Sequence, residues 1–499
     1  MSLEGASKAP RSKREVWILT ATILGTSLAF IDATAVNVAL PALQTAMHAT
    51  VSDVQWVVEA YALLLAALLI AGGSLGDLYG RRKIFVAGVT LFALASACCG
   101  LAPSIGWLVL ARGVQGVGAA LLVPGSLALI SVSFAVNERG RAIGTWSGFT
   151  AITATVGPVL GGWLVEHASW RYVFFINLPL AAIVVVITLW QVPDSHNPEI
   201  GARLDWPGAL LATIGLGALT FALIEAPRRG PGAAVVGAIG ICAIVAFLIV
   251  EARTPSPMVP LGLFRSRNFS GANLLTFFLY AAFGGFLFFL PLNLIQVQHY
   301  SATEAGGALV PLILLIFLLS RWSGGLIARF GAQLPLTIGP LIAASGFILL
   351  LLPGTAAEYW KAIFPGVAAL GLGMAVSVAP LTTVVMSAVS EDEAGVASGI
   401  NNAVSRTAGL LAVGVFGLML YGAFGHALDN GLRRLSLSAA ELQYVNEQRP
   451  RLAAIETDDG RVKDAVDQAF LSGYRTILLV AAGLSIASAL TAAFVLDPA

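Results

Sequence analysis

The sequence predicts an all-α integral membrane protein of about fourteen transmembrane helices, built as two six-helix bundles with two additional helices inserted between them. Two observations predict this class. Hydrophobic residues make up 57% of the 499 residues and charged residues only 11%, far less charge than a soluble protein carries. An internal repeat also divides the chain into similar halves.

The repeat is carried by three motifs that recur at nearly one offset. Gly73–Lys83 reads Gly-Ser-Leu-Gly-Asp-Leu-Tyr-Gly-Arg-Arg-Lys, and Gly324–Gly331 is a degraded copy of its start. The other two matches pair Gly116–Pro124 with Gly371–Pro380, and Gly140–Gly144 with Gly395–Gly399. Matches in register favour duplication over chance similarity in a glycine-rich chain.

Each span needs about 20 mostly apolar residues to cross about 30 Å of hydrocarbon. The predicted spans are 16–40, 54–73, 83–102, 106–132, 141–165, 172–192, 207–225, 233–251, 270–296, 304–328, 334–353, 360–388, 394–424 and 474–496. They divide the chain into a cytoplasmic tail (1–15), a first bundle (16–192), a linker with two additional helices (193–269) and a second bundle (270–499) that includes an extracytoplasmic loop (425–472).

Lysine and arginine in the short loops predict the orientation. The N-terminal tail, Arg81–Lys83, Arg139, Arg141 and the region around Arg265 all fall on one side, which the positive-inside rule makes cytoplasmic. Both termini lie on that side. The basic residues of 425–472 are the exception, and long loops obey the rule weakly. The first apolar stretch is full length without a cleavage site, so no cleavable signal peptide is expected.

Charged residues inside apolar spans predict the functional site. Asp32, Glu59 and Arg112 fall in the outer half of the first bundle at comparable depth, where they could share one polar pocket. A lone charge near the bilayer centre costs about 2.5–3.5 kcal/mol, so such residues usually face a cavity or a partner. The alternative is an Asp32–Arg112 pair that only orients helices, with Glu59 reaching the surface. Arg406, near the middle of the thirteenth span, has structural and functional interpretations of equal weight.

Small residues single out the fifth span, which contains Gly144, Gly157, Pro158, Gly161 and Gly162. Small side chains allow close helix contact, and an internal proline bends a helix and frees backbone carbonyls. The pattern fits either tight packing or a bend that controls how the halves move.

Several classes are excluded or disfavoured. The chain has no Gly-Lys dipeptide and no His-Glu-x-x-His, so a Walker A phosphate loop is excluded and direct ATP hydrolysis is not expected. A net charge of +1 without a basic stripe argues against a nucleic-acid partner. We expect no enzyme, no metal and no cofactor, with the proton gradient as the energy source.

These motifs resemble the major facilitator superfamily, specifically its fourteen-span drug:proton antiporters. The resembling segments are Gly73–Arg82, Leu108–Gly118, Gly144 with Gly157–Gly162, Asp32–Pro41 and Trp170–Pro179. The resemblance implies the major facilitator fold, a cytoplasmic gate formed by Gly73, Asp77, Gly80, Arg81 and Arg82, proton transfer at Arg112, and the fifth-span antiporter motif. Gln55–Tyr61 and Gly399–Arg406 look most like the methylenomycin-resistance type of exporter. Thr153, Leu78 and Glu59 depart from the usual patterns.

The resulting hypothesis is a multi-pass antiporter of the bacterial cytoplasmic membrane. Asp32, Glu59 and Arg112 would couple protons, and the candidate substrate-binding residues are Asp32, Glu59, Asn37, Tyr280, Asn401 and Arg406. Expected partners are membrane lipid, protons and a small-molecule substrate, with a monomer as the working unit and a periplasmic adaptor left open. The alternatives are a carrier of an endogenous metabolite and, in a different class, a non-transporting sensor or docking subunit.

Overall fold

A computed structural model describes residues 13–195, 205–255, 257–355, 357–390 and 393–497. Within these ranges the chain is helical and contains no β-strand. Thirteen of the described helices are long and apolar enough to cross a membrane. The expected all-α membrane fold is therefore confirmed.

The first bundle contains six long helices. They are α1 (Lys13–Ala46), α2 (Val51–Tyr79), α3 (Arg81–Gly100), α4 (Ile105–Ser133), α5 (Val136–His167) and α6 (Asn177–Gln191), which is preceded by the single turn Tyr172–Phe175. Glycine allows α4 to pack closely between α2 and α3, since a Cβ on Gly116 would lie 2.5 Å from the carbonyl oxygen of Tyr61, and one on Gly118 would lie 2.6 Å from the amide nitrogen of Phe92. This packing positions Arg112, one turn earlier on α4.

The inserted pair and the second bundle follow. The inserted helices are α7 (Trp206–Arg229) and α8 (Pro231–Arg253), and the second bundle contains α9 (Arg267–Leu292), α10 (Val310–Gly324, preceded by Ala302–Gly307), α11 (Gln333–Leu349), α12 (Phe364–Ser387), α13 (Ala394–Leu432) and α14 (Gly460–Val495). The predicted span 334–353 corresponds to α11, which is apolar but has only 17 residues. It is shorter than the thirteen candidates, in which α6 and α10 are counted together with the short helices that precede them.

The segment 425–472 is largely helical. Helix α13 continues to Leu432 and α14 begins at Gly460, so both are longer than the about 20 residues that a membrane requires. Between them lie a short helix, Ala439–Gln448, and the turn Arg449–Ala454. The two long helices therefore extend beyond the predicted spans 394–424 and 474–496.

The helix ends define two faces. The start of α1 lies at the end of α6, where Arg14 Nε donates to the carbonyl of Gln191 at 3.0 Å. The end of α14 lies at the start of α9, where Arg267 Nη2 donates to the carbonyl of Phe494 at 2.7 Å. We call the face with these ends the inner face, in line with the charge pattern, and the opposite face the outer face.

The two bundles meet at the outer face. Gln296 Nε2 donates to Gln44 Oε1 at 2.9 Å, and the backbone amide of Thr303 donates to Glu166 Oε2 at 3.1 Å. A Cβ on Gly162 of α5 would collide with the carbonyl oxygen of Ala302 at the start of the α10 region. The outer ends of the bundles are therefore in backbone contact.

The inner halves of α5 and α13 have more space. A Cβ added at Gly140, Gly144, Gly395 or Gly399 would meet no atom within 4 Å. These glycines lie at the inner ends of helices from opposite bundles. The molecule is thus closed on the outer side, with open space beside the inner ends of these two helices.

Candidate functional site

Asp32 on α1 and Arg112 on α4 form a buried ion pair. Arg112 Nη1 donates to Asp32 Oδ2 at 2.5 Å, and the two side chains are 1% and 0% exposed for Arg112 and Asp32 respectively. Arg112 Nε donates to the carbonyl of Val57 at 2.9 Å, and the ring of Tyr61 lies 4.4 Å from the guanidinium carbon. Removing one partner of a buried pair leaves an uncompensated charge and costs about 3–5 kcal/mol. Two of the four predicted intramembrane charges thus hold each other in place.

Amide side chains complete the surroundings of Asp32. Gln115 Nε2 and Asn177 Nδ2 both donate to Asp32 Oδ1, at 2.8 and 3.0 Å. The same amide groups donate to Ser96 Oγ at 3.3 and 3.0 Å, and Ser96 Oγ donates to the carbonyl of Phe174 at 2.9 Å. Among the described residues, the groups that hydrogen-bond to the oxygens of Asp32 are all donors, an arrangement that fits an ionised carboxylate. This network joins α1, α3, α4 and α6 and lies within the first bundle.

Glu59 does not join this network. Gln55 Nε2 donates to the carbonyl of Val413 on α13 at 2.9 Å, across the contact between the bundles. Glu59 follows Gln55 by one helical turn, so it lies on the same face of α2, one turn further inward. The side chain is 1% exposed, and its Oε2 is buried without a hydrogen-bond partner among the described residues. The structure therefore joins Asp32 and Arg112 in one network and leaves Glu59 outside it, because hydropathy gives the depth of a residue but not its direction around the helix.

Arg406 lies on α13, the helix of the second bundle whose Val413 accepts the hydrogen bond from Gln55. It precedes Val413 on α13 by seven residues, which is two helical turns toward the inner face on the same side of the helix. Its Nε is buried and has no hydrogen-bond partner in the described part of the chain. Glu59 on α2 and Arg406 on α13 therefore each have one buried polar atom without a hydrogen-bond partner among the described residues.

The remaining predicted substrate-binding residues, Asn37, Tyr280 and Asn401, differ in whether their polar atoms already have hydrogen-bond partners. Asn37 Oδ1 is buried without a described hydrogen-bond partner, and Tyr280 is partly buried on α9. Asn401 Nδ2 donates to Asn273 Oδ1 at 3.1 Å and to Thr276 Oγ1 at 2.7 Å, which fastens α13 to α9. The amide nitrogen of Asn401 is therefore used for helix packing in this conformation.

The predicted gate residues lie at the inner turn between α2 and α3. Asp77 and Arg81 form an ion pair at 2.7 Å, and Arg82 Nη1 donates to the carbonyl of Val192 at 3.2 Å. Gly80 has φ +108°, a backbone conformation that favours glycine. Gly73 lies two turns before Gly80, where its Cβ position is 3.6 Å from Pro124. These contacts fasten the turn to α6 and α4 of the same bundle.

The fifth-span motif lies mainly in close helix contacts. A Cβ on Gly161 would lie 2.7 Å from the Cβ of Ala35 on α1, and one on Gly157 would collide with the side chain of Thr34. Gly162 faces the α10 region instead, and Pro158 contributes the carbonyl that a Cβ on Gly306 would meet. Tight packing, one of the two expected roles, therefore accounts for these positions, whereas Gly144 borders open space.

Sequence reasoning did not select Gln115, Asn177 and Ser96 as site residues. All three are buried in apolar helices, at 0% exposure. Gln115 and Asn177 donate to Asp32, and Ser96 accepts from both amides. Gln115 and Asn177 do stand inside the motifs that carried the family resemblance. The sequence signal that could have identified Gln115 and Asn177 is an amide side chain inside an apolar helix, because a buried amide requires a hydrogen-bond partner.

We expect Asn177→Ala to destabilise the protein. The change removes a donor from both Asp32 Oδ1 and Ser96 Oγ, which costs about 1–3 kcal/mol at a buried site. Thermal unfolding of the purified protein in detergent measures the loss. Asn402→Ala is the matched control, because Asn402 is exposed and donates within its own helix to the carbonyl of Ser398. Equal midpoints for both variants would contradict the role of Asn177.

The chain matches the Major Facilitator Superfamily model over residues 22–413. It is 36% identical over 430 residues to the multidrug resistance protein Stp of Mycobacterium tuberculosis. The aligned region covers 85% of this chain and 79% of Stp. It is 32% identical over 409 residues to the methylenomycin A resistance protein of Streptomyces coelicolor, covering 81% and 85% of the two chains. These matches confirm the resemblance inferred from the motifs.

A solved structure shares the fold. It is a bacterial homologue of the human lysosomal transporter Spinster in an inward-facing and occupied conformation, with a TM-score of 0.66, 19% identity and 97% coverage of both chains. The chain belongs to the Major Facilitator Superfamily and is a membrane transporter rather than an enzyme.

Proposed function

We propose that this protein exports small amphipathic compounds, including antibiotics, across the bacterial cytoplasmic membrane in exchange for protons. Its relatives are named as multidrug and antibiotic resistance proteins, which supports a drug exporter. The observation that carries the proton-coupled mechanism is the buried pair of Asp32 and Arg112. An ionisable pair inside a membrane bundle marks a proton or substrate pathway more often than a packing contact.

In this mechanism Asp32 is the proton site and Arg112 its counter-charge. The donors around Asp32 fit the ionised carboxylate, which suits a conformation that has released its proton to the inner side. The outer ends of the two bundles are in contact in this conformation. Opening the outer face would admit a proton from outside, and protonation would weaken the bond to Arg112.

The substrate would bind at the boundary between the bundles, below the outer contact. Glu59 would attract a cationic group, and Arg406 would contact an acceptor or an aromatic face from the other side. Asn37 and Tyr280 would add polar contacts, and Asn401 would contribute its carbonyl. Glu59 Oε2 and Arg406 Nε are buried without a hydrogen-bond partner among the described residues, so a ligand that supplies these hydrogen bonds would remove a desolvation cost.

The remaining roles complete the cycle. Asp77, Arg81 and Arg82, with Gly73 and Gly80, would close the inner gate when the transporter faces outward. Gly144, Gly157, Pro158, Gly161 and Gly162 would guide the movement of α5 against α1 and α10. The protein would work as a monomer with both termini in the cytoplasm, without a cofactor, and with a periplasmic adaptor as an optional partner.

Drug accumulation in efflux-deficient bacteria that express the chain tests this function. The panel contains cationic, neutral and anionic compounds, each with and without a protonophore. We expect lower accumulation of some compounds, restored by the protonophore. Export that survives collapse of the proton gradient would contradict proton coupling, and no effect on any compound would contradict drug export.

Glu59→Gln should change selectivity within that panel. The variant keeps the shape of the side chain but removes the negative charge, so export of cationic compounds should be lost while export of neutral compounds remains. Initial efflux rates for matched cationic and neutral compounds measure the change. Asp458→Asn, at an exposed position of the outer loop, is the control for a lost charge. Equal loss for both compound classes would contradict a role in charge selection.

A further inference from the structure

Two acidic residues meet at the inner end of the inserted helices, away from the transport site. Asp205 stands at the start of α7, where its Oδ1 accepts the backbone amide of Gly208 at 2.8 Å. Glu251 lies in the last turn of α8, where its Oε2 accepts the backbone amide of Val259 at 3.0 Å. Each carboxylate thus uses one oxygen to accept a backbone amide. Asp205 caps the first turn of α7, and Glu251 ties the end of α8 to the segment that enters the second bundle.

The second oxygen of each carboxylate has no partner. Asp205 Oδ2 and Glu251 Oε1 are buried without a hydrogen-bond partner among the described residues, and the side chains are 7% and 2% exposed. A Cβ built on Gly208 would meet these two oxygens at 2.5 and 2.8 Å. Both oxygens therefore face one point above Gly208, where only a hydrogen atom fits.

The described surroundings provide no cation for this pair. Neither carboxylate takes part in an ion pair within the described ranges. Arg253 on α8 is exposed, and Met258 and Val259, which face Glu251 from the following segment, carry no charge. Two buried carboxylates that face each other, with no cation beside them among the described residues, favour a state in which one of them holds a proton.

We propose that Asp205 and Glu251 bind one proton between them and form a proton-dependent clasp on the inner face. The shared proton turns two facing acceptors into a donor and an acceptor, so the unpartnered oxygens bond to each other. Loss of this proton replaces the hydrogen bond by repulsion and loosens the connection between the inserted hairpin and the second bundle. The clasp is a second proton-binding site, separate from Asp32, that senses pH on the inner side.

Infrared spectroscopy of the purified full-length protein tests the shared proton. Asp205→Asn and Glu251→Gln each keep the backbone bond that the native oxygen makes, so both variants should fold. At neutral pH the wild type should show the C=O stretching band of a protonated carboxyl group from this pair. We expect each single variant to lose that same band, with an intensity equal to one carboxyl group. Glu447→Gln, at an exposed position, should lose none. A band lost only in Glu251→Gln, or in neither variant, would overturn the shared proton.

The pH dependence of thermal unfolding tests the clasp. A proton shared by the two carboxylates holds the clasp together in the folded state, so we expect its stabilisation to be present at low pH and to disappear as the pH rises and that proton is lost. The unfolding midpoint of the wild type should fall over that range, and both single variants should lose this fall. A fall that persists unchanged in both variants would overturn the clasp.

Discussion

Asp32→Asn should reduce proton-driven export to background. Asparagine cannot take up or release a proton, so the conformational cycle would lose its coupling to the gradient. The structure also predicts a cost in stability, because the 0%-exposed Asp32 is the ion-pair partner of the equally buried Arg112, and a lone guanidinium would remain, at about 3–5 kcal/mol. Substrate-induced proton movement in liposomes, recorded with a pH-sensitive dye, measures the coupling.

A second variant separates lost coupling from lost folding. Asp32→Asn combined with Arg112→Gln removes both charges, so it should regain much of the thermal stability without regaining proton movement. Asp458→Asn provides the control for an exposed carboxylate. Normal proton movement in the well-folded double variant would contradict the assignment of Asp32 as the proton site.

The sequence was sufficient for the fold and for part of the site. Apolar segments of membrane-spanning length set the helices, and the depth of a charge along a helix follows from a rise of about 1.5 Å per residue. That argument brought Asp32 and Arg112 together correctly. The limits of α13 and α14 were less accurate, because a helix does not end where the membrane ends, and both continue into the outer segment.

Direction around a helix was the missing information. On α2, Val57 and Tyr61 face Arg112, while Gln55 and Glu59 lie on the side toward α13. Hydropathy is nearly uniform on all sides of a buried membrane helix, so it cannot tell these faces apart. For the same reason Glu59 was grouped with Asp32, and the amide groups that satisfy Asp32 were not selected.

Gly162→Val should abolish transport by preventing closure of the outer face. A Cβ on Gly162 would collide with the carbonyl oxygen of Ala302 and would lie 2.9 Å from the Cα of Thr303, across the boundary between the bundles. Backbone cannot move aside as a flexible side chain can, so the outer-closed state would be strained while the outer-open state would not. Each 1.4 kcal/mol of strain lowers the population of the closed state about tenfold.

Distances between spin labels on the outer ends of the two bundles measure this shift. In a background without the native cysteines, labels replace His167 on α5 and Lys361 before α12, both exposed in the structure. We expect a longer distance in Gly162→Val and no change in Gly483→Val, because the Cβ position of Gly483 has no atom within 4 Å. A second variant, Gly306→Ala, should also lengthen the distance between the two labels. The added Cβ would collide with the carbonyl oxygen of Pro158 in the opposite bundle. Transport requires the outer-open and the outer-closed state in turn. A variant that cannot close its outer face would therefore bind substrate only from the outer side. A well-folded Gly162→Val with a wild-type distance and wild-type export would show that this contact does not seal the transporter.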